Sequence, residues 1–349
     1  MSDLQSPDAE TTAMLGESPA FLDLLEHASR VAALNKPVLV IGERGTGKEL
    51  IAARLHYLSP RWAAPLVKLN CATLTEALLE TELFGHEAGA FTGATRRHVG
   101  RFEKANGGTL FLDELASVSM RVQEKILRAV EYGQFERVGG SQTLTVDVRI
   151  VGATNSDLPA AVRAGQFRAD LLDRLAFDVL TVPPLRARAE DIMQLAEHFA
   201  VAISRELGRE MFAGFTASAR AALVQYAWPG NVRELKNVVE RSVHRAVADE
   251  PVDAIVFDPF ASAFRLPLQV EPEIAPVARP EAPVRFPCDI KMEIAQLETD
   301  LIKRALAQSR YNQIEAAPLL GLGYHQLRAL LRKHRMVKSR SNQDGSTSA

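Results

Sequence analysis

The chain has 349 residues, 47% of them hydrophobic, and a formal net charge of −2 at pH 7. That length supports two or three domains with separate cores. No apolar run approaches the roughly 18 residues of a membrane span, and no basic, apolar leader surrounds Asp3, Asp8 and Glu10, which predicts a soluble cytoplasmic protein. The two cysteines, Cys71 and Cys288, lack His or Cys neighbours at ligand spacing, so a disulfide framework and a zinc site are excluded and both read as structural thiols.

Residues 1–13 are polar and read as a disordered N-terminus. Ser18-Pro19 then opens an amphipathic helix through Phe21, Leu24, Leu25 and Ala28, which predicts no sensory domain before it. Pro37-Val38-Leu39-Val40-Ile41 is the apolar run of a buried parallel strand. It feeds directly into Gly42-Glu43-Arg44-Gly45-Thr46-Gly47-Lys48-Glu49 and then a helix over 50–57. Strand, glycine-rich loop and helix in that order predict a phosphate loop. The glycines let backbone N–H groups wrap phosphate oxygens, the helix N-terminus adds partial positive charge, and Lys48 reaches the β- and γ-phosphates of ATP. Glu49 stands where the general pattern has the Ser/Thr that binds Mg²⁺, so the metal must lean on another carboxylate.

That carboxylate follows Gly108-Thr109-Leu110-Phe111-Leu112, a second buried strand ending in Asp113-Glu114. Asp113 is placed to hold Mg²⁺ and Glu114 to orient or deprotonate an attacking water. Residues 65–69 form another strand ending at Asn70, whose amide either hydrogen-bonds Glu114 or caps a turn. Between Asn70 and Asp113, after a helix with Leu78, Leu79 and Leu83, falls Gly89-Ala90-Phe91-Thr92-Gly93-Ala94. This tip carries no acid, base or metal ligand. Its glycines permit positive φ, while Phe91 and Thr92 offer an apolar contact and one hydrogen bond.

Residues 122–132 have helical spacing, and Arg137-Val138-Gly139-Gly140-Ser141 reads as a hairpin turn. The next strand, 148–151, ends in Thr154-Asn155, a polar pair that can sense a γ-phosphate. Residues 167–175 read as a helix carrying Arg168 and Arg174; an Asp170–Arg174 pair at i, i+4 and a reach of either arginine across a subunit boundary both fit the spacing. A last strand over 179–182 stops at Pro183-Pro184, and a helical lid follows to about 248. Within it, Trp228-Pro229-Gly230-Asn231-Val232-Arg233-Glu234-Leu235 opens a helix and puts Arg233 in its first turns, where a cation opposes the helix dipole and a bound phosphate would account for it.

Seven prolines between 258 and 287 describe a linker. From 303 to 340, nine Lys/Arg face the single acid Glu315, a charge suited to a polyanion. Here a long helix over 289–308 precedes two shorter ones, 312–320 and 324–334, separated by Gly321-Leu322-Gly323. The pair fits a helix-turn-helix, with a basic dimerisation module as the alternative. In the first reading Tyr324, His325, Gln326 and Arg328 face bases, and Arg332 and Lys333 meet phosphates.

Taken together, residues 42–49, 89–94, 113–114, 167–174, 228–235 and the terminal helices resemble the bacterial enhancer-binding proteins that activate sigma-54 RNA polymerase. The segment Tyr57-Leu58-Ser59-Pro60-Arg61-Trp62 is similar to the branch that activates phage-shock operons. The resemblance implies an α/β fold, an AAA+ P-loop parallel sheet with a helical lid, followed by an all-α Fis-like helix-turn-helix domain. It places the ATPase subdomain at 14–188, the lid at 189–257, the linker at 258–287, the DNA-binding domain at 288–337 and a disordered tail at 338–349.

It further implies a homo-hexamer with ATP sites between subunits, Asn70 as switch partner of Glu114, and Thr154 and Asn155 as a first sensor. Arg168 and Arg174 become trans-acting fingers, Arg233 a second sensor, and residues 89–94 the sigma-54 contact. Control would come from a trans-acting inhibitor of the phage shock protein A type, with Trp62 as its contact. Pro318 inside the first helix of the helix-turn-helix, a cost of roughly 3 kcal/mol in a helix interior, and Gly323 in place of a Ser/Thr cap depart from the family pattern and predict reduced DNA affinity. An AAA+ unfoldase or DNA-translocating motor, and a repressor with a vestigial ATPase, are the rival readings.

Overall fold

The computed structural model describes residues 14–260, 289–309, 312–334 and 336. The expected disordered ends, Cys288 and the Pro-rich linker beyond residue 260 lie outside the described residues. The chain divides into two units, Met1–Ala263 and Phe264–Ala349.

The first unit runs α1 (Pro19–Ala32), β1 (Val38–Ile41), α2 (Lys48–Tyr57), β2 (Leu66–Asn70), α3 (Glu76–Phe84), α4 (Arg101–Lys104), β3 (Thr109–Asp113), α5 (Met120–Tyr132), β4 (Gln134–Glu136), β5 (Thr143–Thr145), β6 (Arg149–Thr154), α6 (Leu158–Arg163), α7 (Ala169–Leu175) and β7 (Asp178–Thr181). The lid helices follow: α8 (Glu190–Glu206), α9 (Ala217–Gln225) and α10 (Asn231–Arg245). Five strands form one parallel sheet in the order β2-β3-β6-β1-β7, and β4 and β5 make a separate hairpin.

Alternation along each strand sends side chains to opposite faces. Leu39, Leu110, Leu112 and Ile150 join a core with α3, α5 and α7. Val38, Val40, Phe111, Val151 and Ala153 join a second core with α1 and α2. Apolar surface on both faces is what a parallel sheet covered by helices requires. The lid has a core of its own around the fully buried Trp228, whose indole N–H donates to the Leu223 carbonyl at 2.8 Å.

Register then sets the site. Asn70 pairs with Asp113 and Ile41 with Thr154, so the phosphate loop, Asn70, Asp113 and Thr154 leave the sheet at one edge. This carboxyl edge is where open α/β sheets bind ligands. Several expected limits shift: β6 starts at Arg149 and reaches Thr154, and β7 spans Asp178–Thr181. Helix α7 begins at Ala169, because the Arg168 backbone N–H donates to Gln123 Oε1 at 2.8 Å and leaves Arg168 as the residue before the helix.

The second unit contains α11 (Ile290–Gln308), α12 (Gln313–Leu319) and α13 (Tyr324–Lys333) around Ile302, Ala305, Ala316, Ala317, Leu327 and Leu331. Pro318 falls in the last turn of α12, so it removes one backbone bond rather than breaking an interior. The helix stops just beyond it: Gly321, at φ 67°, and Leu322 return their N–H groups to the carbonyls of Pro318 and Ala317 at 3.0 Å.

Candidate functional site

At the carboxyl edge of the sheet, a cleft of about 460 Å³ is lined by Arg44, Lys48, Glu49, Asp113, Glu114 and Arg233 among others. Gly47 precedes α2 at φ 96°, a conformation that suits glycine. The Lys48 ammonium is buried and donates to the carbonyls of Gly42 (2.9 Å) and Glu43 (3.2 Å), and Thr46 Oγ1 donates to the Glu43 carbonyl at 2.8 Å. Burial draws the Lys48 pKa below the ordinary lysine value, opposed by the charges of Glu114 and Asp113. Arg233 reaches the same cleft from α10, and among the described residues its guanidinium has no ion pair.

The two acids at the end of β3 differ. Asp113 Oδ1 accepts the Glu114 N–H at 2.9 Å, and Oδ2 accepts from Asn70 Nδ2 at 3.3 Å. Glu114 has φ 52° and ψ 44°, a left-handed backbone that costs a non-glycine residue about 1–3 kcal/mol and recurs at functional sites. Its carboxylate lies 4.0 Å from Arg44 Nε. One expectation is corrected here. Asn70 bonds Asp113 and not Glu114, because register sets it opposite Asp113, and its Oδ1 caps Ala72 N–H at 2.9 Å. Glu49, also in the cleft lining, pairs with Lys68 at 2.8 Å, and Asp113 and Glu114 are the other carboxylates of that lining.

Thr154 is fully buried and its hydroxyl accepts the Ser156 N–H at 3.0 Å, while the exposed Asn155 accepts from Ser156 Oγ at 3.4 Å. Arg168 is bonded to Asp170 through Nε (3.0 Å) and a terminal nitrogen (2.8 Å), and Arg174 to Glu131 at 2.6 Å. The expected Asp170–Arg174 pair is therefore absent: each charge has a better-placed partner. Neither arginine lines the cleft of its own chain.

Three features were not read from the sequence. Beside the phosphate loop a cavity of about 50 Å³ has apolar walls that include Met14, Leu15, Phe21, Ile51, Phe199 and Val232, a lining of the kind small-molecule sites use. Asp191, at the start of α8, is 1% exposed and accepts from Glu17 N–H, Ser18 N–H and Ser18 Oγ at 2.8, 2.9 and 2.8 Å, which straps the segment over that cavity. Glu43 is gripped by Arg186 (2.8 Å) and Asn231 (3.0 Å), bonds that hold its carboxyl at about 2, well below the usual range.

The 89–94 loop lies between α3 and α4. Gly89 (φ 83°) and Gly93 (φ 103°) have open space where a Cβ would stand. The Gly89 N–H donates to the Ala94 carbonyl at 2.7 Å and closes the loop. Phe91 is half exposed with its ring 4.9 Å from that of His86, and Thr92 is exposed. Ala94 is buried, which corrects its expected place in a contact surface: it anchors the loop. Beneath, the buried Arg137 pairs with Glu87 and Glu103. Trp62 stands 64% exposed near the equally open Tyr57 in sequence.

On α13, Tyr324, His325, Arg328 and Arg332 are exposed. Gln326 and Lys333 are partly engaged: Gln326 Oε1 accepts the Gly323 N–H at 2.8 Å, the return half of a capping box whose other half glycine cannot make, and Lys333 pairs with Glu298 at 2.8 Å.

With this geometry in hand, residues 14–181 match the sigma-54 interaction domain, 186–259 the AAA+ ATPase lid domain and 293–334 the Fis family of bacterial regulatory proteins. The chain belongs to the sigma-54-dependent activators. It is 60% identical to the Psp operon transcriptional activator of Escherichia coli K12, over 93% of this chain and 98% of that one. It is 46% identical to the Nif-specific regulatory protein of Azotobacter vinelandii, over 90% and 57% respectively. NtrX from Brucella abortus, solved in complex with ATP, shares 32% identity at a TM-score of 0.66, covering 93% of this chain and 70% of that one. The protein is thus an AAA+ ATPase and transcriptional activator whose partners are sigma-54 and DNA, which sets aside the motor and repressor readings. Among the described residues no helix is long and apolar enough to cross a membrane.

Proposed function

We propose that this activator hydrolyses ATP with Lys48 on the β- and γ-phosphates, Glu114 orienting the attacking water, and the 89–94 loop carrying the resulting motion to sigma-54. The observation that carries the reading is one cleft at the sheet's carboxyl edge where Lys48, Asp113 and Glu114 meet Arg233 from α10. Among the described residues Arg233 has no ion pair, and the Lys48 ammonium donates to two carbonyls with the charges of Glu114 and Asp113 nearby, so both have capacity for a triphosphate. The Asp113 carboxylate is a hard oxygen donor with lone pairs to spare, which fits Mg²⁺ held by one protein ligand together with phosphate oxygens and water. Bound Mg²⁺ would neutralise developing phosphate charge. Among the described residues no cluster of three or more metal-ligating groups competes for that role.

Arg168 and Arg174 lie off their own cleft on the protein surface, which supports their use as fingers in a neighbour's site within a hexamer. Thr154, Asn155 and Arg233 sense the γ-phosphate, and Asn70 acts through Asp113. Phe91 and Thr92 form the output tip. In the second unit, Tyr324, His325, Arg328 and Arg332 bind enhancer DNA, with Gln326 and Lys333 secondary. We assign the ATPase subdomain to 14–188, the lid to 189–257 and the DNA-binding domain to 288–337, and place the protein in the cytoplasm. The similarity to the Psp operon activator supports control of a phage-shock operon and restraint by an inhibitor of the phage shock protein A type, with exposed Trp62 in its reach.

Open-complex formation with sigma-54 polymerase tests the reading. Glu114→Gln should bind ATP and hydrolyse it very slowly. Thr92→Ala should keep hydrolysis and lose transcription; activation retained by that variant would sink the output role.

A further inference from the structure

We propose that Asn231 is a positioning residue that makes the shape of the phosphate loop depend on the position of the lid. The residue is fully buried at the first position of α10 and holds φ 52°, a conformation that any larger or branched side chain would resist. Its side chain joins three parts of the molecule. Oδ1 accepts the Leu185 N–H at 2.8 Å, in the connection between β7 and α8. Nδ2 donates to Glu43 Oε2 at 3.0 Å and to the Arg44 carbonyl at 3.1 Å, both in the phosphate loop. One amide therefore ties the lid helix, the hinge before the lid and the nucleotide cradle.

Neighbouring contacts run the same way. The Val232 and Arg233 N–H groups, which open α10, both donate to the Gly45 carbonyl, at 3.0 and 3.3 Å. A Cβ on Gly45 would stand 2.3 Å from the Gly230 carbonyl oxygen, so lid and loop are in backbone contact. Arg186, beside Leu185 in the hinge, holds the same Glu43 carboxylate. The lid cannot rotate about residues 185–188 without stretching these bonds or dragging Glu43, Arg44 and Gly45 with it. Lid movement and phosphate grip are thereby one motion, and Arg233 reaches the phosphates only in the lid position that Asn231 fixes.

The inference rests on residues 42–49 being the phosphate cradle. ATP and ADP affinities, by fluorescent-nucleotide competition, and steady-state ATPase rates are measured on the full chain. Asn231→Asp keeps the acceptor for Leu185 but sets a carboxylate against Glu43. Both nucleotides should bind roughly 10-fold or more weakly, with KM raised more than kcat is lowered. Asn231→Asp combined with Glu43→Gln restores a donor–acceptor pair of reversed polarity and should recover about half of that loss on a logarithmic scale. Affinity unchanged in Asn231→Asp, or no recovery in the double variant, overturns the proposal. Should Asn231→Asp fail to fold, Glu43→Ala, approached from solvent, should lose affinity about as much, and wild-type binding by it overturns the proposal equally. Lys48→Ala separates the two readings: nucleotide binding retained there sinks the cradle itself, whereas binding abolished there with Asn231→Asp normal sinks only the latch.

Discussion

Asp191 is a buried acid of the lid, and its contacts allow the cost of losing it to be worked out. Its carboxylate, 1% exposed, accepts two backbone N–H groups and one hydroxyl from Glu17 and Ser18. In Asp191→Ala the buried Ser18 N–H loses its acceptor at about 1–3 kcal/mol, and the part-buried Glu17 N–H adds less, for about 1–4 kcal/mol together. For a unit of this size each kcal/mol lowers Tm by about 2–4 °C, so the Ala variant should melt roughly 3–15 °C below wild type by differential scanning calorimetry. Asp191→Asn is the instructive comparison. Its Oδ1 can still accept both N–H groups, and the Ser18 hydroxyl can turn to accept from Nδ2, so the loss reduces to the charge that also faces Arg188, about 1 kcal/mol. Because Met14 and Leu15 roof the apolar cavity, nucleotide affinity should fall with Tm in the same order, Ala worse than Asn. Equal melting of the two variants, or an Ala variant within about 2 °C of wild type, would refute the reasoning.

Arg137 sits at 4% exposure between Glu87 and Glu103; Arg137→Ala leaves the mostly buried Glu103 with only Arg97 at 3.5 Å and the Gly100 N–H, while the third-exposed Glu87 reaches water, and should cost about 1–3 kcal/mol in urea unfolding; an unchanged stability would refute the pairing. Leu327→Ala removes a fully buried side chain from the small core of the second unit and should cost about 2–5 kcal/mol, abolishing enhancer binding in a gel-shift assay while the ATPase rate per subunit is kept. Cys71 is buried, and desolvation first, then the charges of Asp113 and Glu114, push its thiol up to about 12. It should resist alkylation at pH 8 in the native protein and react on unfolding; fast native labelling would show that the strand end opens.

What could be read in advance was what lies close together along the chain. The phosphate loop is eight consecutive residues between an apolar strand and a helix, and its glycines and lysine announce their chemistry by spacing alone. The sheet followed from apolar runs ending in polar residues, since a parallel strand must hide both faces. Errors began wherever a partner was chosen by pairing between strands or helices distant in sequence. Asn70 went to Asp113 because the β2–β3 register puts them side by side. Arg174 found Glu131 on α5 rather than the Asp170 of its own helix, because α5 and α7 pack together. The Arg168 backbone was lifted out of the helix by Gln123, a buried amide whose side chain also donates to Val118 and Gln166 carbonyls.

Asn231 shows the limit most sharply. It stood in full view within the segment around Arg233, and its type, a short amide before a helix, fits an ordinary cap. Nothing local distinguishes a cap from a junction. The distinction needs Leu185 and Glu43, which lie 46 and 188 residues away, and it needs the backbone at positive φ that turns the side chain inward. Residues that touch phosphate or water can be recognised from motif chemistry, because that chemistry restricts the residue type. Residues that make the motif move with the lid are restricted only by three-dimensional geometry, so the coupling between ATP and the 89–94 loop is best sought among buried amides and carboxylates such as Asn231, Asp191 and Gln123 rather than among further motif positions.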